Sequence, residues 1–289
     1  MKQSRWTVGV LTSPWVTTLA LFWLFPLVFS LAVSFTDYRL LGSTWQWIGL
    51  DNYQTLLDDP KFLAALKNTL VFVLGTIPVT TVLALLLAML VNREFPGRAV
   101  FRAAYFLPSI TAMVVIALIF TNLFSRGGYV ALLAQMVGLP SPEHGFLYDR
   151  GTALYSIMAM DIWMSVGYYM LIFLAGLKSI PEELYEAAEI SGASRVRQFF
   201  SITLPLLRPV MLFILVINSI KSFQVFVEIF VMTSGKFDTA TAVYFIYDQG
   251  LQGQFRFGYA SAAAYLLFCG IGLFSAVQLY LMRRREALW

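Results

Sequence analysis

Cysteine and histidine are almost missing from this chain: Cys269 and His144 are the single examples in 289 residues. One cysteine makes no disulfide framework, and one residue of each kind leaves no ligand set at metal-binding spacing. An intramembrane enzyme would need a nucleophile–base or metal constellation, and these two residues, far apart in sequence, do not supply one. Charge is scarce too. Asp, Glu, Lys and Arg make up 12% of the residues, against about 25% in soluble domains, which excludes a soluble globular enzyme. A phosphate-binding loop is also lacking. Gly235-Lys236 looks like the end of one, but Phe230 stands where the earlier glycine is required and Phe237 where Ser or Thr is required. The formal net charge of +4 builds no nucleic-acid patch, because the basic residues follow a membrane-topology pattern.

Apolar length is what the chain has in quantity: 59% of its residues are hydrophobic and its mean hydropathy is +0.73. Crossing a bilayer takes about 20 apolar residues. Pro14 to Phe35, Asn68 to Val91, Ala103 to Phe124 and Phe257 to Met282 reach that length without a charged residue. Gly151 to Leu177 carries Asp161, and Pro209 to Met232 carries Lys221 and Glu228; both are otherwise apolar. The pattern predicts an all-α membrane protein with six transmembrane helices, a single multi-pass domain over 1–289. Lys2, Arg5, Arg93, Arg98, Arg102, Lys178, Arg195, Arg197, Arg208 and Arg283 to Arg285 fall on one side of the six helices. Fewer fall on the other: Arg39, Lys61, Lys67, Arg126, Arg150, Lys236 and Arg256. The richer side is expected in the cytoplasm, with both termini. The first apolar run exceeds the 7–15 residues of a signal-peptide core and no small-x-small cleavage site follows, so it reads as an uncleaved helix.

A short hydrophilic island, 179–205, interrupts the apolar text on that cytoplasmic side. Ser179 and Glu182 have capping-box spacing and Pro181 suits a first helical turn. Glu182, Glu186 and Glu189 share one helix face, and Leu184, Ala187, Ala188 and Ser191 another. Gly192 can close the helix in the left-handed conformation, and Ser194 can cap a second helix through Arg195, Arg197, Phe199 and Phe200. Pro205 and Pro209 mark the entry to the next apolar run. Two readings fit the bare acidic stripe, a docking surface and an ordinary interfacial amphipathic helix.

Glu186-Ala187-Ala188, Gly192 and Ile202-Thr203-Leu204-Pro205 match the pattern E-A-A, three residues, G, nine residues, I-x-L-P. The segment resembles the coupling loop of permease subunits of ATP-binding-cassette importers; the one departure is Ser191, where many relatives have Asp. Gly49-Leu50-Asp51-Asn52-Tyr53, Asp59-Pro60-Lys61-Phe62 and Asn68-Thr69 resemble the carbohydrate-uptake branch, and so does Gly258-Tyr259-Ala260-Ser261-Ala262. Thr233-Ser234-Gly235-Lys236 matches that branch's T-x-G-G-P only in part. The resemblance implies a type I importer permease fold. It implies ATPase coupling through Glu186, Ala187, Ala188, Gly192, Leu204 and Pro205, with Glu186 set against basic groups of the ATPase. It further implies a second permease subunit, two cytoplasmic ATPase subunits and an external solute-binding protein, in a bacterial or archaeal inner membrane. No cofactor would be bound by this chain; ATP and Mg would bind the partner ATPase.

Between the first two helices, a turn followed by a short amphipathic helix from Phe62 to Asn68 is expected. Ser125 to Arg150, with Gly127-Gly128, Pro140 and Pro142, reads as a compact external loop, either a plain connection or a contact for the binding protein. In the fifth helix Asn218, Lys221, Ser222, Gln224 and Glu228 recur at spacings of three to four, so most share one side. At about 1.5 Å per residue, Lys221 lies near mid-membrane. Polar groups at that depth face protein or a water-filled path. Asn218, Lys221, Ser222 and Gln224, with Tyr168 and Tyr169 as stacking faces, are candidates to line a translocation path; polar glue between helices is the other reading. Asp161 fits polar glue or a salt link. The alternative to an importer subunit is an ion-coupled secondary transporter or channel using Asp161, Lys221 and Glu228, which offers no reason for the loop pattern.

Overall fold

The structure is a computed structural model that describes residues 5–40, 42, 45–138, 140–252 and 255–286. Lys2 and the side chains of Arg5, Arg283, Arg284 and Arg285, all named above for orientation, lie outside what is described. Among the described residues the fold is helical, with two isolated antiparallel bridges, Thr36 to Trp47 and Ser125 to Gly145. Among the described residues five helices are long and apolar enough to cross a membrane: Gly9–Ser34, Pro60–Asn92, Ala153–Lys178, Arg208–Met232 and Phe257–Leu281. They are called the first, second, fourth, fifth and sixth spans.

The expected third helix is broken. Arg98–Ile110 and Met113–Phe124 meet at 99°. Pro108 lies one turn before the break, and Ser109 and Thr111 return their hydroxyls to the carbonyls of Phe106 and Leu107 at 2.7 and 2.9 Å. A proline that removes an N–H, beside hydroxyls that offer the carbonyls another donor, lets the chain leave the helix at Thr111. Thr111 and Ala112 are extended, with ψ of 146° and 126°. Prolines mark two milder irregularities as well. The π-helical turns Ala20–Leu24 and Phe199–Thr203 each end just ahead of a proline, Pro26 and Pro205, where the ring cannot sit against the carbonyl four residues back.

The expected short helix from Phe62 to Asn68 is not separate; those residues are the opening turns of the second span, Pro60–Asn92. Asp59 caps it, accepting from the Lys61 N–H at 2.8 Å, and Pro60 takes the first helical position, where its missing N–H costs nothing. The expected compact loop after Phe124 contains a helix of its own, Tyr129–Met136, and folds back so that Leu147 is fully buried.

The described residues form two compact units. In the one made of Met1–Leu63 and Phe245–Cys269, Asn52 closes the end of the first span by donating to the carbonyls of Ser34 and Thr36 at 2.9 and 2.8 Å. Tyr53 meets the Ser34 hydroxyl at 2.7 Å, and Tyr259 donates to Asp59 at 2.7 Å. In the other, Ala64–Tyr244 with Gly270–Trp289, the fourth span is the axis. Its first half enters one buried apolar cluster through Leu154, Ile157 and Met160, together with Phe72, Ile116 and Ile229. Its second half enters another through Tyr169, Met170 and Phe173, with Ala84, Ala88 and Ile214. Between them, at Gly167, the Arg98–Ile110 helix approaches so closely that a Cβ there would lie 1.8 Å from the Tyr105 carbonyl oxygen.

Because that obstacle is backbone, Gly167→Ala must displace the Arg98–Ile110 helix. We expect it to lower the thermal stability of the detergent-extracted chain by several degrees, about 1–3 kcal/mol. A Gly270→Ala control, at a glycine with open space around it, should leave stability unchanged in the same melting assay.

Candidate functional site

Two features of the Ala64–Tyr244 unit stand out, an exposed helix-turn-helix and a buried polar layer. The first comprises helix Glu182–Ile190, a turn, helix Arg195–Gln198 and the π turn Phe199–Thr203 leading to Leu204–Leu206. Ser179 does not cap it as the spacing suggested. Its backbone is still helical, and its hydroxyl donates back to the Gly176 carbonyl at 2.7 Å, closing the fourth span; Pro181 stands at the N-cap without a side-chain bond. Gly192 adopts φ of +76°. Its N–H bonds the Glu189 carbonyl and the Ala193 N–H bonds the Ala188 carbonyl, both at 2.9 Å, the pair of bonds that ends a helix on a left-handed residue. Ser194 caps the second helix through the Arg197 N–H at 3.4 Å.

Glu186, Ala187 and Gly192 are exposed, Ala188 is half-buried, and Leu204 and Pro205 are half-buried where the segment re-enters the fold. Leu184, Ile190, Val196 and Phe200 also lie exposed, Ile190 at 90%. A polar loop seldom leaves four large apolar side chains uncovered unless another surface meets them. The inner side is tied down. Tyr185 and Thr203 share a hydrogen bond of 2.8 Å, and buried Gln198 donates to the Ala193 carbonyl at 3.2 Å. Below, Gly176 of the fourth span packs on Val210 of the fifth and on Leu207 just ahead of it. An open cleft of about 450 Å³ lies between the loop and the ends of the second and fourth spans, bordered by Asn92, Arg93, Leu177, Tyr185, Glu189 and Arg195. Tyr185 and Gln198 were not singled out from sequence; nothing in helical periodicity separates an anchoring tyrosine from a surface one.

The polar layer lies between the two apolar clusters. Asp161 and Ser165, one turn apart on the fourth span, face Lys221 of the fifth. The Lys221 ammonium donates to Asp161 at 2.7 Å and to Ser165 at 2.5 Å. Asp161 is 2% exposed, whereas the Lys221 side chain is 38% exposed, so the pair joins the interior to the chain's surface. Glu228, on the segment where the fifth span's helix restarts, is buried as well. Asn218 and Ser222 are buried, bonded to each other at 3.4 Å, with Ser222 also 3.4 Å from Thr76 of the second span. Gln278 of the sixth span donates to Ser219 at 2.9 Å.

The fifth span therefore does not present one polar side. Its helix stops at Phe223 and restarts at Val227. Asn218 and Ser222 point inward, Lys221 reaches the surface and Gln224, in the interruption, is exposed. Tyr169 is buried and Tyr168 is exposed at 45%. At the far end of this span Ser234, Phe237 and Asp238 hold positive φ of 51°, 57° and 57°. The turn is braced by Asn68, which donates to the Asp238 and Ala240 carbonyls at 2.8 and 2.9 Å.

Residues 80–286 match the family described as binding-protein-dependent transport system inner membrane component. The chain is 35% identical over 271 residues to the probable ABC transporter permease protein YesP of Bacillus subtilis, covering 92% of this chain and 86% of that one. It is 34% identical over 279 residues to the arabinooligosaccharides transport system permease protein AraP of Halalkalibacterium halodurans, covering 94% and 86%. In fold it is similar to a chain of a bacterial alginate ABC transporter crystallised with an alginate pentasaccharide-bound periplasmic protein. The TM-score is 0.84 at 24% identity, over 96% of this chain and 94% of that chain.

Removing one member of the Asp161–Lys221 pair strands the other. Lys221→Met should destabilise the extracted chain by less than the roughly 3–5 kcal/mol of a fully buried pair, because Lys221 is partly exposed. Asp161→Asn/Lys221→Met should recover most of that loss. A double-mutant cycle on melting temperatures checks both, and additive losses would deny the coupling.

Proposed function

Given that the chain belongs to the family of binding-protein-dependent transport system inner membrane components, we propose that it is one of two permease subunits of an ATP-driven importer, forming half the path of a sugar or sugar-like solute. The family and the apolar spans make it a multi-pass membrane protein. Arabinooligosaccharide and alginate in the names of similar proteins support the carbohydrate class. An external binding protein hands over the solute, and two cytoplasmic ATPase subunits, holding ATP and Mg, supply the energy.

The observation that carries the coupling reading is the helix-turn-helix, uncovered on its outer face, its two arms held together by the Tyr185–Thr203 hydrogen bond. In this reading its side of the membrane is cytoplasmic, with both termini, as the distribution of Lys and Arg requires. Glu186, Ala187, Ala188 and Gly192 dock on the ATPase, while Leu204 and Pro205 lead the motion into the fifth span. ATPase closure pushes the loop, and the fourth and fifth spans move with it to switch the path between its inward-facing and outward-facing states. Along the path, Lys221, Gln224 and Tyr168 offer donors and a stacking face to solute hydroxyls from the chain's surface. Asn218, Ser222 and Tyr169 hold that surface from behind. The ion-coupled alternative would need Asp161 and Lys221 free to exchange ions, and they are bonded to each other.

In reconstituted vesicles we expect solute uptake to require a co-purifying ATPase. Glu186→Lys should lower uptake by about tenfold or more while leaving melting temperature unchanged, since Glu186 is exposed. Uptake that survives both the absence of an ATPase and the Glu186→Lys change would defeat the reading.

A further inference from the structure

The second span ends at Asn92 and the Arg98–Ile110 helix begins six residues later. Between them runs an apolar groove of about 390 Å³, walled by Leu87, Leu90, Phe101 and Tyr105, with Arg93 and Glu94 just past the helix end. Leu90 and Phe101 are 58% and 52% exposed, so the groove opens to the outside of the chain. Its leucine wall is formed by the last turns of a membrane-spanning helix, where hydrocarbon gives way to headgroups. On the Arg98–Ile110 helix, Arg98 and Arg102 are one turn apart, and Phe101 and Tyr105 are each three residues further on. The cationic stripe thus borders the apolar one. Arg93 and Glu94 line the end of the groove, Glu94 pairs with Arg98 at 3.4 Å, and Arg102 follows Arg98 by one turn, so that three guanidinium groups lie close in sequence to one carboxylate.

An apolar slot opening sideways at the last turns of a membrane span, ended by unbalanced positive charge, has the shape and polarity of a phospholipid with an anionic headgroup. We propose that this groove binds one anionic phospholipid, an acyl chain lying between the Leu87–Leu90 wall and Phe101–Tyr105, its phosphate held by Arg93 and Arg102. Guanidinium groups match phosphate oxygens in pairs, and basic pockets at helix ends select anionic headgroups. A water-soluble partner would have no route to the leucine wall, and a second membrane subunit seated there would leave the arginines without a counter-charge. The site depends on the chain's being a membrane protein and not on any ATPase, so its failure and the failure of the coupling reading are separate results.

The test extracts the chain with whatever subunits hold it and exchanges the preparation into nanodiscs of mixed phosphatidylglycerol and phosphatidylcholine. Retained lipid is then counted by native mass spectrometry. Phosphatidylglycerol should be retained in preference, and Arg93→Gln and Arg102→Gln should each reduce that preference about fivefold. Lys178→Gln, at an exposed lysine elsewhere, should not. Leu90→Trp, which fills the groove and removes no charge, should lower retention of both lipids. Equal retention of the two lipids by the unaltered chain would overturn the proposal without recourse to any variant. So would an unchanged preference in both arginine variants, or a second membrane subunit crosslinking to Leu90→Cys in place of lipid.

Discussion

A carboxylate buried within a membrane span needs a counter-charge within hydrogen-bonding reach, and among the described residues Asp161 finds it in Lys221. Lys221 must stand opposite on the fifth span, and Ser165, a turn away, completes the ammonium's bonds. The pair sets the register of the fourth span against the fifth. With that register set, Ile157 and Met160 meet Ile229 on one side of the layer, and Tyr169 and Phe173 meet Ile214 on the other. Apolar contacts alone would tolerate sliding by a turn, because lipid tails and leucine side chains are equivalent surroundings. A misplaced charge would not. The gain is in specificity more than in stability, since the desolvation of Asp161 offsets much of the attraction.

The same two spans bracket the exposed loop. Gly176 holds the fourth against Val210 of the fifth and Leu207 just ahead of it, near the loop, and Asp161 holds it against Lys221. The two attachments lie 15 residues apart on the fourth span, about 22 Å of helix. Two helices fastened at both points would move together under the proposed coupling. In the proposed coupling, a push on the Glu182–Ile190 helix would pass through the Tyr185–Thr203 bond to the start of the fifth span and reach Lys221 and Gln224, where that span's helix is interrupted. Buried Glu228 follows the interruption, and the next residue, Ile229, belongs to the apolar cluster of the fourth span's first half.

Much of this architecture was legible in the sequence, because twenty consecutive apolar residues have few other uses and a left-handed glycine followed by a capping serine between two short helices has few other shapes. What could not be read has physical reasons. Ala103 to Phe124 satisfies every hydropathy criterion, but hydropathy measures transfer into lipid and not straightness; the bend is decided by Pro108 with the hydroxyls of Ser109 and Thr111. Ser179 had the spacing of a cap for the helix that follows, yet a serine still in helical conformation bonds backward. Asp161 and Lys221 are 60 residues apart, beyond anything a 3.6-residue period can pair. Asn218 and Ser222 were grouped with Gln224 on one face by a periodicity that the break at Phe223 does not respect.

Irregular backbone in this chain occurs where partners are at hand. The turn after the fifth span is the extreme case: three non-glycine residues at positive φ, each costing on the order of 1 kcal/mol. Thr233 and Thr239 bond each other at 2.6 Å, Tyr244 donates to the Ser234 carbonyl at 2.7 Å, and Asn68 takes two further carbonyls. Asn68 and Thr69, on the second span, also bind the chain up to Ala242, so the turn is fastened to a helix that does not carry the loop. One end of the fifth span is thereby anchored through the second span while the other is joined to the exposed helix-turn-helix. Under the proposed coupling, displacement entering at the loop end would have to be absorbed between these ends, and the interruption at Gln224–Phe226 is the part of the span without continuous helical bonding to resist it.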